Sequence, residues 1–428
     1  MNYKEAREYI DNTAKFGSNL GLTRTEKILE LIGNPHLGLR CIHIAGTNGK
    51  GSTSAMMNSI LINSGYRVGM YTSPFLEEFE ERIQINNENI PKEDLAEVVT
   101  EVSKAVTKVI ELGFDHPTEF EIITCAMFLY FKLKEVDYAV VEVGLGGRLD
   151  STNVIKPILS IITSISMDHT NILGDTLSVI AYEKAGIIKP GVPVICAMQE
   201  KEAQEVIALR CRELNCELIM VGQSAEFIEM EQNLQLVKLK TDKTTYSFKL
   251  SLLGKHQLLN CANAVAASEK LMYLGLKISV KNIEDAMGNV RWIGRLEILK
   301  KEPLVVIDGA HNIEGITLLK ESINTYFKFR KIILIIGILK DKQVEDMVSI
   351  ITPMAERVIT VTPNSFRAED SKELSEIIEK YNNKTEACRD YRDAYNKALE
   401  YSDKEDMILV CGSLYMIGDM RKVIRKNR

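Results

Sequence analysis

The chain has 428 residues, 45% hydrophobic and 26% charged, which is ordinary globular composition with length for two or three cores. A net charge of −6 without any long basic run offers no footprint for nucleic acid or an anionic membrane, so ligands are expected in pockets. Residues 1–11 are charged and no apolar stretch approaches the length of a bilayer span, so neither a secretion signal nor a membrane segment is expected, and the reading is a cytoplasmic protein.

Residues 41–45 form a short apolar run that ends in Gly46-Thr47-Asn48-Gly49-Lys50-Gly51-Ser52-Thr53, and residues 54–65 have helical composition. A strand, a glycine turn and a helix start in this order make a phosphate cradle, because glycines let successive backbone N–H groups face anionic oxygens and the helix end adds its field. Lys50 would reach the terminal phosphates and Ser52 a magnesium ion. The spacing is shorter than the general P-loop pattern and Gly51 stands between the lysine and the hydroxyl, so a plain strand-to-helix connection is the competing reading.

Further apolar, β-branched runs at 68–72, 138–143, 158–165 and 192–197 alternate with amphipathic segments, which predicts a mostly parallel sheet flanked by helices. Ligands of such sheets sit at the carboxyl ends of strands, and Gly46, Ser73, Glu142 and Asp168-His169 all fall there. Glu142 ends a strand otherwise too apolar to welcome a charge; it is either a magnesium ligand or an ion-pair partner of Arg148, and the local residues leave both open. His169 is a ligand, a base or a structural imidazole, again without local evidence to decide. Lys189 follows an apolar pair and precedes Pro190-Gly191. It is a solvated turn lysine, or a buried amine able to react with carbon dioxide and become an anionic carbamate.

Residues 226–253 alternate polar and apolar positions around charged turns and read as short antiparallel strands appended to the first domain. Gly254-Lys255-His256-Gln257-Leu258-Leu259-Asn260 opens an alanine-rich helix. A second alternating series at 304–307, 331–336, 357–361 and 407–411 predicts a second, smaller α/β domain, with Asp308-Gly309-Ala310-His311-Asn312 closing its first run. Asp308 would accept a ribose hydroxyl or fix a catalytic group; the alternative is an Asp-Gly turn with Asn312 capping a helix. The eight cysteines lie mostly in apolar runs without a C-x-x-C pair, as small buried thiols do.

The fold class is therefore α/β: an N-terminal P-loop-type domain with a mostly parallel sheet and a small appended antiparallel sheet (1–294), then a smaller Rossmann-like α/β domain (295–428).

Together, the stretches 43–52, 71–74, 81–83, 142–153, 168–170, 183–191, 294–297, 308–312 and 411–415 resemble the folylpolyglutamate synthase and dihydrofolate synthase family, a branch of the Mur ligase superfamily. The resemblance runs from the first strand to the C-terminus. It implies an ATP-dependent ligase in which a folate or dihydropteroate carboxylate attacks the γ-phosphate and the resulting acyl phosphate is attacked by the α-amine of L-glutamate, with release of ADP and phosphate.

By this resemblance Gly46, Thr47, Asn48, Gly49, Lys50, Gly51, Ser52 and Thr53 are the ATP loop, with Lys50 neutralising charge on the transferring group. Ser52, Ser73, Glu142 and His169 are ligands of two Mg2+ sites. Lys189 is the lysine the family carbamylates, an anionic ligand of the second metal, and counts with Lys50 and His169 as catalytic. Asn260, Arg295 and Asp308 are nucleotide contacts that place ATP between the domains. Thr72, Arg82, Thr118, Phe120 and Glu121 line the folate side, and His311 and Ser413 handle glutamate. The chain departs from the family at Phe75, where histidine is common after Ser-Pro. A monomer is expected; the competing functions are a muramyl-type amino-acid ligase and a P-loop nucleotide switch, although neither an N-K-x-D nor an L-S-G-G-Q motif is present.

Overall fold

The structure, a computed structural model, describes residues 1–17, 19–365 and 367–426. Two compact units divide the chain: Met1–Glu226, Lys238–Phe248 and Leu259–Val290 form the first, and Phe227–Val237, Lys249–Leu258 and Arg291–Arg428 the second.

The first unit is built on strands β1 (Cys41–Ala45), β2 (Val68–Tyr71), β3 (Ile83–Ile85), β4 (Glu88–Asn89), β5 (Tyr138–Glu142), β6 (Leu159–Ile162), β7 (Val194–Ala197) and β8 (Leu218–Val221). They form one sheet in the order β4-β3-β2-β5-β1-β6-β7-β8. Every pairing from β2 to β8 is parallel, and β3 and β4 add an antiparallel edge. Asn86 and Asn87, with φ 51 and 67, make the two-residue turn between β3 and β4. Residues of β1, β2, β5, β6 and β7 are buried throughout, the signature of a sheet covered on both faces. One core gathers Val99, Val102, Ile123 and Phe131 from helices Lys92–Glu111 and Glu119–Leu133 against Tyr71 and Val141. Another gathers Ile180 and Ala181 of helix Leu177–Ala185 and Ile207 of helix Lys201–Glu213 against Ile162 and Val194.

The chain leaves β1 toward β2 and β5 on one side and later crosses to β6 on the other, so β1 is the switch point of the sheet, where α/β proteins bind ligands. Register fixes what stands there. Ile44 pairs with Glu142, Ala45 with Ile162 and Tyr71 with Val141, which aligns Gly46, Glu142 and the Thr72-Ser73 turn along one carboxyl edge.

Strands β9 (Ala225–Glu231), β10 (Leu234–Lys240) and β11 (Thr245–Leu250) form the small sheet expected from the alternation, with β10 in the middle. Gln232 and Asn233, φ 53 and 68, join β9 to β10 in a two-residue turn. The second unit carries β12 (Glu297–Lys301), β13 (Leu304–Ile307), β14 (Ile332–Ile336), β15 (Arg357–Thr360), β16 (Thr385–Ala387) and β17 (Met407–Cys411), ordered β12-β13-β17-β14-β15-β16. Only β12 runs antiparallel to its neighbour. Val306, Leu334, Val358 and Leu409 pack with Ile316, Ile323, Met347 and Ile351 in its core.

The apolar runs all became strands, while β3, β4, β8, β12 and β16 were not foreseen. They lie at sheet edges or next to them and are largely half-exposed, so they carry no continuous apolar run to read. The helix after β1 spans Lys50–Asn63, earlier than the composition suggested. The eight cysteines are all free, and all but Cys216 are buried. Among the described residues no helix is long and apolar enough to cross a membrane.

Candidate active site

The turn after β1 is held tightly on both sides. Gly46 has φ 153, and a Cβ added there would stand 1.8 Å from Thr163 Oγ1. Gly49, in the left-handed region at φ 85, immediately precedes the helix, and a Cβ there would stand 2.2 Å from Asn260 Oδ1. Only glycine fits either position. Asn260, from helix Lys255–Tyr273, is thereby placed directly on the phosphate turn. Lys50, Gly51, Ser52 and Thr53 form the first turn of their helix, so the backbone N–H groups and dipole of a helix start coincide with the lysine. Thr47 and Asn48 lock the turn to the segment after β6: Thr47 N–H donates to Ser164 O at 2.7 Å, its hydroxyl to Ser166 O at 3.1 Å, and Asn48 Nδ2 to Ser166 Oγ at 3.4 Å.

Two lysine side chains meet here. Lys50 Nζ donates to Gly46 O at 3.2 Å and to Thr47 O at 3.1 Å, and Lys184 Nζ donates to the same Gly46 O at 2.8 Å. Lys184 is 3% exposed. Burial first, then the charge of Lys50, lower its pKa from 10.5 to about 7, against the opposing pull of Asp168. Lys184 was missed by sequence reasoning because a lysine beside Tyr182 and Glu183 reads as a solvated helix residue. The signal that would have found it is the ring of small residues Ala181, Ala185 and Gly186, which lets this helix end press onto the loop after Glu142; a Cβ at Gly186 would stand 2.3 Å from Arg148 Cα.

Lys189 goes elsewhere. Its ammonium donates to Asn153 O at 3.0 Å and its pKa is lowered by burial and by Arg210, with Glu26 opposing. The structure thus brings Lys184, and not Lys189, to the phosphate turn: Lys189 precedes β7, on the side where that strand enters the sheet. The alternative reading of Glu142 is corrected as well. Arg148 gives its guanidinium to Glu183, with Nε and Nη2 3.1 and 2.9 Å from Oε1, and Glu142 is buried at the end of β5. Ser52 is buried too, and Ser73 is half-buried in the turn after β2. His169 adopts φ 50 at the start of the short helix Thr170–Leu173, with its N–H on Asp168 Oδ1 at 2.8 Å. Among the described residues no three His, Cys, Asp or Glu side chains cluster as a metal cage. One carboxylate with hydroxyls suits a magnesium ion that takes its remaining oxygens from phosphate and water.

On the expected folate side, Thr72 N–H donates to Arg82 O at 3.1 Å, and Arg82 Nη2 lies 3.1 Å from Glu119 Oε1. Phe75, the departure from the family pattern, packs edge-to-face with Phe79 at 5.7 Å, and the Arg82 guanidinium lies 5.4 and 5.1 Å from the two ring centroids. Phe120 is half-buried, 5.9 Å from the Tyr71 ring, and lies against Gly144. Thr118 and Glu121 have a structural task in place of an open contact. They form the reciprocal cap of helix Glu119–Leu133, and Arg24 Nε donates to the buried Glu121 carboxylate at 2.9 Å.

In the second unit Asp308 follows β13, accepting from Ala310 N–H and Leu296 N–H, both at 2.8 Å, so it ties down Leu296, whose φ is 43. Arg295 Nη1 donates to Gly294 O at 3.1 Å, and His311 Nδ1 lies 2.7 Å from Gly309 O. Asn312 caps helix Ile313–Tyr326 as the turn reading anticipated. Ser413 is buried just before helix Leu414–Lys426, its hydroxyl without a hydrogen-bond partner among the described residues.

A parallel sheet whose switch-point strand delivers a lysine-bearing glycine turn to a helix start is a phosphate-binding architecture, and with the matches of both units to Mur ligase domains it makes the class an ATP-dependent ligase of the Mur type. Residues 44–268 match the Mur ligase middle domain and residues 294–414 the Mur ligase glutamate ligase domain. The dihydrofolate synthase/folylpolyglutamate synthase of Bacillus subtilis (strain 168) is 37% identical over 99% of both chains, and the folylpolyglutamate synthase of Lacticaseibacillus casei 33% over 99% of both. The Mycobacterium tuberculosis folylpolyglutamate synthase solved with ADP and AMPPCP superposes with a TM-score of 0.92 at 28% identity, covering 99% of each chain. The chain belongs to the dihydrofolate synthase/folylpolyglutamate synthase family.

Proposed function

We propose that this ligase activates the carboxylate of a folate or of dihydropteroate with ATP and joins it to the amine of L-glutamate, releasing ADP and phosphate. The observation that carries the reading is the convergence of Lys50 and Lys184 on Gly46 O at the helix start, one residue beyond the strand that pairs with Glu142. The fixed positive charge of Lys50 there neutralises a phosphoryl group in transfer without reorganisation. Gly46 to Thr53 and Asn260 hold the nucleotide phosphates in this reading. Residues 1–294 bind ATP, and residues 295–428 present glutamate through His311 and Ser413. Thr72, Arg82 and Phe120 face the acid.

Ser52, Ser73, Glu142 and His169 would hold two magnesium ions, whose chemistry is to offset charge on the phosphates. The lysine serving the second site is Lys184. With a pKa lowered to about 7, a large share of its amine is unprotonated at physiological pH, as reaction with carbon dioxide requires: the amine nitrogen bonds to carbon, one proton is released, and a carbamate anion remains. The reading includes a monomeric, cytoplasmic enzyme.

ADP release by the purified protein with MgATP and L-glutamate, run with dihydropteroate, with tetrahydrofolate and with neither, tests the reading, products being weighed by mass spectrometry. A glutamyl product with both acceptors identifies a bifunctional enzyme, and a product with one acceptor names the activity. No product with either acceptor refutes the assignment.

A further inference from the structure

A buried polar chain joins the strand that delivers the phosphate turn to the loop that follows Glu142. His43, in the middle of β1, is fully buried with Nε2 2.9 Å from Thr152 Oγ1. The Thr152 hydroxyl donates to Asp150 Oδ1 at 2.5 Å. That carboxylate also accepts the Thr152 N–H at 3.0 Å and, through Oδ2, the Leu145 N–H at 2.9 Å. With its proton given to Asp150, the Thr152 oxygen offers His43 only lone pairs, so Nε2 carries the imidazole proton and donates it. Nδ1 is buried with no partner among the described residues. Burial, reinforced by the charge of Lys189, pulls the ring's pKa down to about 3, so the imidazole is neutral. A leucine in this place would pack without desolvating two nitrogens. What the imidazole adds is a fixed direction for the Thr152 hydroxyl.

The loop that Asp150 pins touches two sides of the site. Gly144 lies against the Phe120 ring, a Cβ there standing 2.5 Å from Cζ. Arg148 N–H donates to Glu183 O at 2.7 Å and its guanidinium holds the Glu183 carboxylate, next to Lys184. Resting on the ligase reading above, we propose that His43 is a positioning residue that, through Thr152 and Asp150, sets the 144–150 loop and with it the seat of the acid substrate between Phe120 and Lys184. The phosphate turn itself does not depend on this chain, because β1 is held by backbone pairing to β5 and β6 on both sides.

The test is steady-state kinetics of glutamyl transfer, with the acid and then ATP varied, on the wild type and on His43→Leu, Thr152→Val and Thr152→Ser, alongside thermal melting. Loss of the donated bond in His43→Leu or of the hydroxyl in Thr152→Val raises the KM for the acid about tenfold while the KM for ATP stays within about twofold, and Thr152→Ser, which keeps the hydroxyl, stays near wild type. Combining His43→Leu with Thr152→Val adds little to either alone, since both cut one chain. An unchanged acid KM in folded Thr152→Val, or a kcat that falls only with the folded fraction, overturns the proposal. Should His43→Leu not fold, the Thr152→Val and Thr152→Ser pair decides. A wild type that transfers glutamate to no acid defeats the ligase reading itself, whereas an active wild type with an unaffected Thr152→Val defeats this inference alone.

Discussion

Lys50 and Lys184 donate to one oxygen, the carbonyl of Gly46, at 3.2 and 2.8 Å. Burial first, and then the charge of Lys50, hold the pKa of the Lys184 amine down at about 7. Lys50 brings positive charge to the place where an anionic group would arrive, and Lys184 beside it is the amine held near neutrality.

This arrangement ranks the two lysines of the 184–189 segment. Lys184→Met is expected to lower kcat for glutamyl transfer by about 100-fold or more, because it removes the amine, and with it the proposed carbamate, from the phosphate turn. Lys189→Met, which loses one bond to Asn153 O, is expected to stay within about fivefold of wild type. Steady-state kinetics on both variants checks the ranking, and the reverse order would return the role to Lys189.

The same lysine gives the fold a pH dependence with a definite sign. Its pKa is about 7 folded and 10.5 when free, so between these values the unfolded chain binds a proton that the folded chain does not. Stability against unfolding therefore rises with pH from about 7 to about 10.5 through this group, and below about 7 the full penalty of charging it is present. Urea melts of the ligand-free protein at pH 7 and pH 9 should show that rise, and Lys184→Met should flatten it.

Gly46→Ala is expected to destabilise the protein by about 2–4 kcal/mol, since the new methyl meets Thr163 Oγ1 and the backbone is in a region L-residues avoid. Adding Thr163→Ala should recover part of the loss by removing the clash and leave the backbone part. Denaturant melts of the single and double variants measure the split; full recovery would remove the backbone contribution.

Glu142→Gln keeps the shape of the strand end and removes its charge. The magnesium concentration for half-maximal activity is expected to rise more than about tenfold, with melting temperature little changed, because the amide is a poor ligand for a hard cation. A magnesium titration at saturating ATP checks this, and an unchanged midpoint would leave Glu142 a structural carboxylate.

Much of the fold was legible in the sequence because β1, β5, β6, β7, β14 and β17 are buried on both faces and must be written as continuous apolar runs. The phosphate turn was legible too, since positive φ and close approach admit only glycine at Gly46 and Gly49. Residue order along the strands already placed Glu142 and His169 at the carboxyl edge.

Tertiary structure alone decided which polar groups do which work. Lys184 and Lys189 sit in one short segment, and their composition does not separate them. The packing of Gly186 on Arg148 sends the first toward Gly46, and the bond to Asn153 keeps the second away. Thr118 and Glu121 read as open polar groups until the helix cap and Arg24 claim them. The chain from His43 through Thr152 to Asp150 joins residues far apart in the sequence and has no period or spacing to reveal it. A chain's hydrophobic pattern is written locally because burial of a strand or helix face is a local property; the partner of a buried charge is set by whichever distant segment arrives beside it, and only the folded packing determines that.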